Sequence, residues 1–117
     1  MEKINLKIPS KAKYFSSVRL FLSGLLANMD FDIETVEDLK IAISECLNIA
    51  LKLDCNETID ITFEISETKI KIEIGEICRE DIEKIEELSL SLTILECLVD
   101  ESKVENNHLL LTANRKK

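Results

Sequence analysis

The run 32–53, DIETVEDLKIAISECLNIALKL, contains neither Gly nor Pro, and its apolar residues Val36, Leu39, Ile43, Cys46, Leu47, Ala50 and Leu53 recur at helical spacing. A helix with so wide an apolar face must be covered, so the rest of the chain has to supply a layer for it to lie on. Asp32 stands just before the periodic residues, where a short acceptor side chain satisfies the first free N–H groups. Glu34, Glu37 and Asp38 place negative charge at the positive end of the helix dipole. Within the aliphatics lie Glu45 and Asn48, three positions and so about 60° apart around the axis. They are the residues of this helix that suggest chemistry.

The flanking segments supply the layer. Residues 3–8 alternate, with Ile4, Leu6 and Ile8 opposite Lys3, Asn5 and Lys7, and Pro9 ends the pattern, as expected of an edge or near-edge strand. The spacing of Tyr14, Val18, Phe21, Leu22, Leu25 and Met29 predicts a helix over 11–29, with Ser10 as its cap and Phe15 and Leu26 as apolar residues off the stripe. After the polar break Asp54-Cys55-Asn56, the residues Ile59, Ile61, Phe63 and Ile65 alternate with polar ones. The residues Ile70, Ile72 and Ile74 then do the same beyond Ser66-Glu67-Thr68, which predicts an antiparallel hairpin.

A third helix is expected over 79–100 on the stripe Ile82, Ile85, Leu88, Leu92, Leu95 and Val99, with the Ser89-Leu90-Ser91-Leu92 alternation marking a break. Short strands at 103–105 and 108–113 flank a turn at Asn106-Asn107. The 117 residues therefore read as one domain, 1–117, an α+β two-layer sandwich of a mixed, mostly antiparallel sheet and three helices.

With 15 basic and 23 acidic residues the net charge is −8 and the pI about 4.7, which repels phosphate backbones and anionic lipid. Nucleic acid and membrane are excluded as partners on this reading, and a basic patch on a protein fits. No run approaches the ~20 apolar residues of a membrane span, and no leader pattern opens the chain, so a cytoplasmic protein is expected. Cys46, Cys55, Cys78 and Cys97 form no C-x-x-C pair, and reduced thiols are expected, with Cys46 and Cys97 acting as small hydrophobes. His108, the only histidine, has no nucleophile beside it in a recognisable pattern.

The segment Glu37-Asp38-Leu39-Lys40-Ile41-Ala42-Ile43-Ser44-Glu45 resembles the N-box helix of the RsbW-type bacterial anti-sigma factor serine kinases, which belong to the GHKL (histidine-kinase-like, Bergerat-type) ATPase superfamily. The resemblance continues through Ile8-Pro9 and through Val18-Arg19-Leu20-Phe21-Leu22-Ser23-Gly24, and the predicted element order is also that of the superfamily. In that family the helix reads Glu-x-x-x-Asn, the Glu handling the attacking group and the Asn holding the Mg²⁺ on ATP. Here Glu45 matches the Glu, but Ile49 occupies the Asn position, and an aliphatic side chain cannot ligate a hard cation. Asn48 is the neighbouring candidate.

The family's Asp-x-Gly adenine motif corresponds to Glu76-Ile77-Cys78, with Glu76 for the Asp and Cys78 for the Gly. Its Gly-rich phosphate turn corresponds to a stretch opening Leu88-Ser89-Leu90-Ser91 with no Gly. Only nine residues separate Cys78 from Leu88, too few for an ATP lid. The resemblance implies a regulator with degenerate nucleotide motifs: Glu45 a vestigial catalytic residue, Asn48 and Glu76 weak cofactor-binding candidates, and Arg19 on the partner-binding surface. The departures from the family's motifs imply no cofactor and no metal, and the resemblance implies a sigma factor or anti-anti-sigma protein as partner and a homodimer. The alternative is a working serine-protein kinase using ATP and Mg²⁺ to phosphorylate an anti-anti-sigma protein.

Overall fold

The computed structural model describes residues 2–78 and 86–115. In chain order the elements are β1 (Glu2–Pro9), α1 (Phe15–Ala27), α2 (Ile33–Leu53), β2 (Thr58–Ile65), β3 (Lys69–Gly75), α3 (Glu86–Leu98), β4 (Glu101–Glu105) and β5 (His108–Asn114). The strands form one sheet in the order β1-β2-β3-β5-β4, antiparallel at every pairing, where the sequence had allowed a mixed one. β1 lies at one edge, as its Lys-bearing alternation and terminal Pro predict.

Register carries the alternation across the sheet. Ile4 faces Phe63, Phe63 faces Ile72, and Ile72 faces Leu111, so the apolar residues of successive strands share one side. The helices cover that side. Leu22 of α1, Leu39, Ile43 and Leu47 of α2, and Leu88 and Leu95 of α3 are buried against Ile61, Phe63, Ile72 and Leu111. The Phe21 and Phe63 rings, with centroids 5.5 Å apart, join α1 directly to the sheet. On the open side polar residues form ion pairs, Lys3 of β1 with Glu64 of β2 at 3.2 Å across strands, and Lys103 with Glu105 along β4 at 3.1 Å. The hydrogen bond that Lys103 donates to the Glu105 carboxylate, and the charge of that carboxylate, raise the Lys103 ammonium above its ordinary pKa.

α2 begins where the sequence places it. Asp32 Oδ2 accepts the Thr35 N–H at 3.3 Å and Oδ1 accepts the Thr35 hydroxyl at 2.5 Å. It ends at Asp54, whose N–H donates to the Ala50 carbonyl at 3.1 Å and whose left-handed backbone (φ 46°) then turns the chain out of the helix.

α1 departs from expectation at its start. A 3-10 turn at Ala12–Tyr14 precedes it, Tyr14 takes the cap position with no side-chain hydrogen bond, and Ser10 Oγ is buried without a partner among the described residues. Ser10 instead uses its backbone N–H, donated to the Glu57 carbonyl at 2.8 Å, to anchor the end of β1 beside β2.

The expected break at Ser89-Leu90-Ser91-Leu92 is absent, because α3 runs unbroken across it and Thr93 Oγ1 donates to the Ser89 carbonyl at 3.1 Å. Residues 79–85, with Ile82, Ile85 and most of the segment between Cys78 and Leu88 that is too short for an ATP lid, lie outside the described residues. The two hairpin turns differ in chemistry. Asn106 and Asn107, both at positive φ (51° and 62°), form the left-handed turn that suits a tight hairpin. At the β2–β3 turn, which contains no Gly, Ser66 Oγ accepts the Lys69 N–H at 3.2 Å and closes the turn.

Candidate functional site

The middle of α2 sorts its side chains sharply. Leu39, Ala42, Ile43, Cys46, Leu47, Ile49 and Ala50 are buried, Ile41 and Asn48 are exposed, and Ser44 and Glu45 lie between. At about 100° per residue Glu45 sits on the boundary, with Ile49 about 40° inward and Asn48 about 60° outward. Glu45 and Asn48 are therefore neighbours, but Asn48 stands on the solvent side, whereas the position four after Glu45 turns into the core with Ile49 at 0% exposure.

Two of the three local side chains that could satisfy a core carboxylate at Glu45, Lys40 and Ser44 but not Asn48, are engaged elsewhere. Lys40 pairs with Glu37 at 3.5 Å, and Ser44 donates to the Lys40 carbonyl at 2.9 Å. Among the described residues Glu45 makes no hydrogen bond, and half-exposure leaves it to water. Burial, with the adjacent Glu45 carboxylate second, pushes the Cys46 thiol far above its ordinary range, so it is an inert core residue.

At the end of β3, Gly75 pairs with His108 of β5, and a Cβ on Gly75 would overlap the imidazole, which leaves that ring resting on bare backbone. His108 is thus half-buried, its Nδ1 2.8 Å from the Asn106 carbonyl oxygen. Beyond Gly75, Glu76 is exposed, its carbonyl accepting from Asn56 Nδ2 at 3.2 Å, and the Ile77 N–H donates to the Asn107 carbonyl at 2.8 Å. Cys78, in the place of the family's second motif residue, is bonded to Cys55, their Cα atoms 5.9 Å apart. The expectation of four reduced cysteines is corrected for this pair: β3 returns its end to the end of α2, a tertiary closeness that sequence spacing does not reveal. Cys97, expected to pack as a hydrophobe, is exposed. Leu88, at the position of a phosphate-turn glycine, is buried in the core.

Arg19 is half-buried rather than projecting freely, and its Nη1 donates to Ser44 Oγ at 3.3 Å, so it fastens α1 to α2. The surplus apolar surface of α1 is also placed differently from expectation. Phe15 and Leu26 are core residues at 5% and 1% exposure, and Leu20, next to Arg19, is the one left out, at 73%. Together with Ile41 of α2 at 50%, it is an exposed apolar residue on the outer side of the helix layer. The signal that could have found it is helical phase: Leu20 lies 200° from Val18, opposite the buried row.

The serine-protein kinase RsbW of Oceanobacillus iheyensis is 33% identical to this chain, over an alignment covering 90% of the chain and 80% of that protein. The chain belongs to the RsbW-type anti-sigma factor and serine-protein kinase family. The serine-protein kinase RsbW of Bacillus thuringiensis is 43% identical over 79 residues, covering 64% of this chain and 49% of that protein. The solved structure of the RsbU and RsbW domains of Rv1364c from Mycobacterium tuberculosis matches 99% of this chain and 32% of its own, with a TM-score of 0.71 at 15% identity, and so shares the RsbW fold. No family model matches the chain.

Proposed function

We propose that this RsbW-family domain is a regulator that binds a protein partner and has lost the use of Mg-ATP. The observation that carries the reading is Ile49, fully buried at the position where the family's motif needs a metal-ligating amide. The residues present do not fit the nucleotide: Asn48 faces solvent, Cys78 is tied to Cys55, and Leu88 fills the core where a glycine should admit phosphate. Glu45 is then a vestige of the catalytic carboxylate, and Glu76, exposed and hydrogen-bonded through its backbone, has no base to read.

The partner surface on this reading is the outer side of α1 and α2, where Leu20 and Ile41 supply apolar area beside Arg19. The chain's net charge of −8 favours a basic counterpart. A sigma factor or an anti-anti-sigma protein is the partner class that family membership suggests, and a homodimer and a cytoplasmic setting go with it. Among the described residues no helix is long and apolar enough to cross a membrane.

The second reading is an active serine-protein kinase. It is favoured by one observation, that Glu45 and Asn48 are one turn apart on adjoining faces of α2. Titration with Mg-ATP separates the two, since a ligand at a hundredfold excess over Kd stabilises the fold by about 2.7 kcal/mol. The regulator reading expects no shift in melting and capture of a native partner that Arg19→Glu releases. Saturable micromolar binding abolished by Asn48→Ala would establish the kinase instead.

A further inference from the structure

Cys55 and Cys78 belong neither to the core nor to the partner surface. Cys55 follows the left-handed Asp54 that ends α2, and Cys78 follows the end of β3, so the chain between them contains the whole β2–β3 hairpin. Their Cα separation of 5.9 Å lies in the ordinary range for a disulfide, so the backbone of this fold accommodates the bond. Both residues are half-buried and line a depression of about 250 Å³ with Asn56, Glu76, Ile77 and Asn107, and small reagents in water therefore reach them. Cys46, fully buried, has no such access.

We propose that Cys55 and Cys78 form a reversible dithiol–disulfide site that exchanges with low-molecular-weight disulfides, neutral or cationic ones in preference, and so sets whether the end of α2 is covalently fastened to the end of β3. The preference follows from Glu76 in the depression, from Asp54 and Glu57 flanking it in sequence, and from the net charge of −8.

The small disulfide is itself the two-electron acceptor of the exchange. One protein thiolate attacks a sulfur of the small disulfide RSSR, the S–S bond breaks, and RS⁻ leaves. The second protein thiolate then attacks the protein sulfur of the mixed disulfide and expels the second RS⁻. The protons of the two protein thiols end on the two RSH released. The segments around Cys55 and Cys78 are also held by hydrogen bonds that do not involve either sulfur, Asn56 Nδ2 to the Glu76 carbonyl at 3.2 Å and the Ile77 N–H to the Asn107 carbonyl at 2.8 Å.

The test uses the full chain with Cys97→Ser, which removes the exposed third thiol, equilibrated against mixtures of cystamine and cysteamine. Intact mass and native alkylation should show one transition between a species two hydrogens lighter with both thiols protected and a species with both alkylated. The melting temperature should be lower by roughly 10 °C in the reduced form. Cys55→Ser/Cys78→Ser should melt at one temperature in every mixture. Cysteamine caps on the two cysteines separately, a bond that excess cysteamine leaves intact in the folded protein, or equal melting in both redox states would each overturn the proposal. The mass measurement decides it without any variant at the pair itself.

Discussion

Replacing Ile49 by asparagine restores the residue type of the family's metal ligand, and the packing fixes what it should cost. Ile49 is 0% exposed, so the change removes a fully buried aliphatic side chain, about 1.5–3 kcal/mol of transfer free energy. It also puts an amide among Cys46, Leu47 and Ala50, where an unsatisfied polar group costs about 1–3 kcal/mol. Together these come to roughly 4 kcal/mol, against a total stability of about 5–15 kcal/mol for a domain of this size. With a urea m-value of about 2 kcal/mol/M, the unfolding midpoint should fall by roughly 2 M with m unchanged. Asn48→Ala, one residue away on the exposed side, should change stability by less than about 0.5 kcal/mol. Urea titrations followed by circular dichroism, with and without Mg-ATP, read all of this. An Ile49→Asn protein as stable as the parent, or one that gains Mg-ATP binding, would refute the reasoning, because its amide would then have reached an open cleft instead of the core.

Gly75→Ala should destabilise by about 1–3 kcal/mol in a thermal melt, since its Cβ meets the His108 ring, and adding His108→Ala should recover most of the loss. Asp32→Ala should cost about 1 kcal/mol by removing the acceptor for the Thr35 N–H and hydroxyl, measurable in the same urea assay. Iodoacetamide under native conditions should modify Cys97 within the time that leaves Cys46 untouched, with peptide mass mapping as the readout, because one thiol is exposed and the other is buried and held protonated.

What could be read in advance follows from the range of the interactions involved. The extent of α2 and its Asp32 cap, and the β2–β3 and β4–β5 hairpins, depend on residues a few positions apart, and periodicity exposes them. The Ser10 cap failed because a 3-10 turn intervenes between β1 and α1, which carries Ser10 away from the helix N-terminus. Ser-Leu-Ser-Leu looked like a break because alternation is also a strand pattern, yet Leu88, Leu92 and Leu95 keep helical phase through it.

At the candidate site, the substitution at Ile49 was visible directly, and so was the neighbourhood of Glu45 and Asn48. The Cys55–Cys78 bond, the His108 ring over Gly75 and the Arg19–Ser44 hydrogen bond were not, since each joins segments that only the sheet order and helix packing bring together. Phe15 and Leu26 were misplaced for the same reason: the buried arc of α1 is wider than one stripe when a sheet and a second helix both press on it.

The edge strand β1 is the first element of the chain, but its hydrogen-bonded neighbour is β2, with Ile8 opposite Ile59 and Glu2 opposite Ile65. A growing chain leaving the ribosome therefore presents β1, α1 and α2 before β2, the strand that pairs with β1 and helps to floor the helices. Through that interval Leu22, Leu39, Ile43 and Leu47 are uncovered and both sides of β1 are unpaired, a condition that favours association between nascent copies. The lysines at 3 and 7, which later meet Glu64 and Asp60, are then unneutralised charges that keep neighbouring β1 segments apart until β2 arrives.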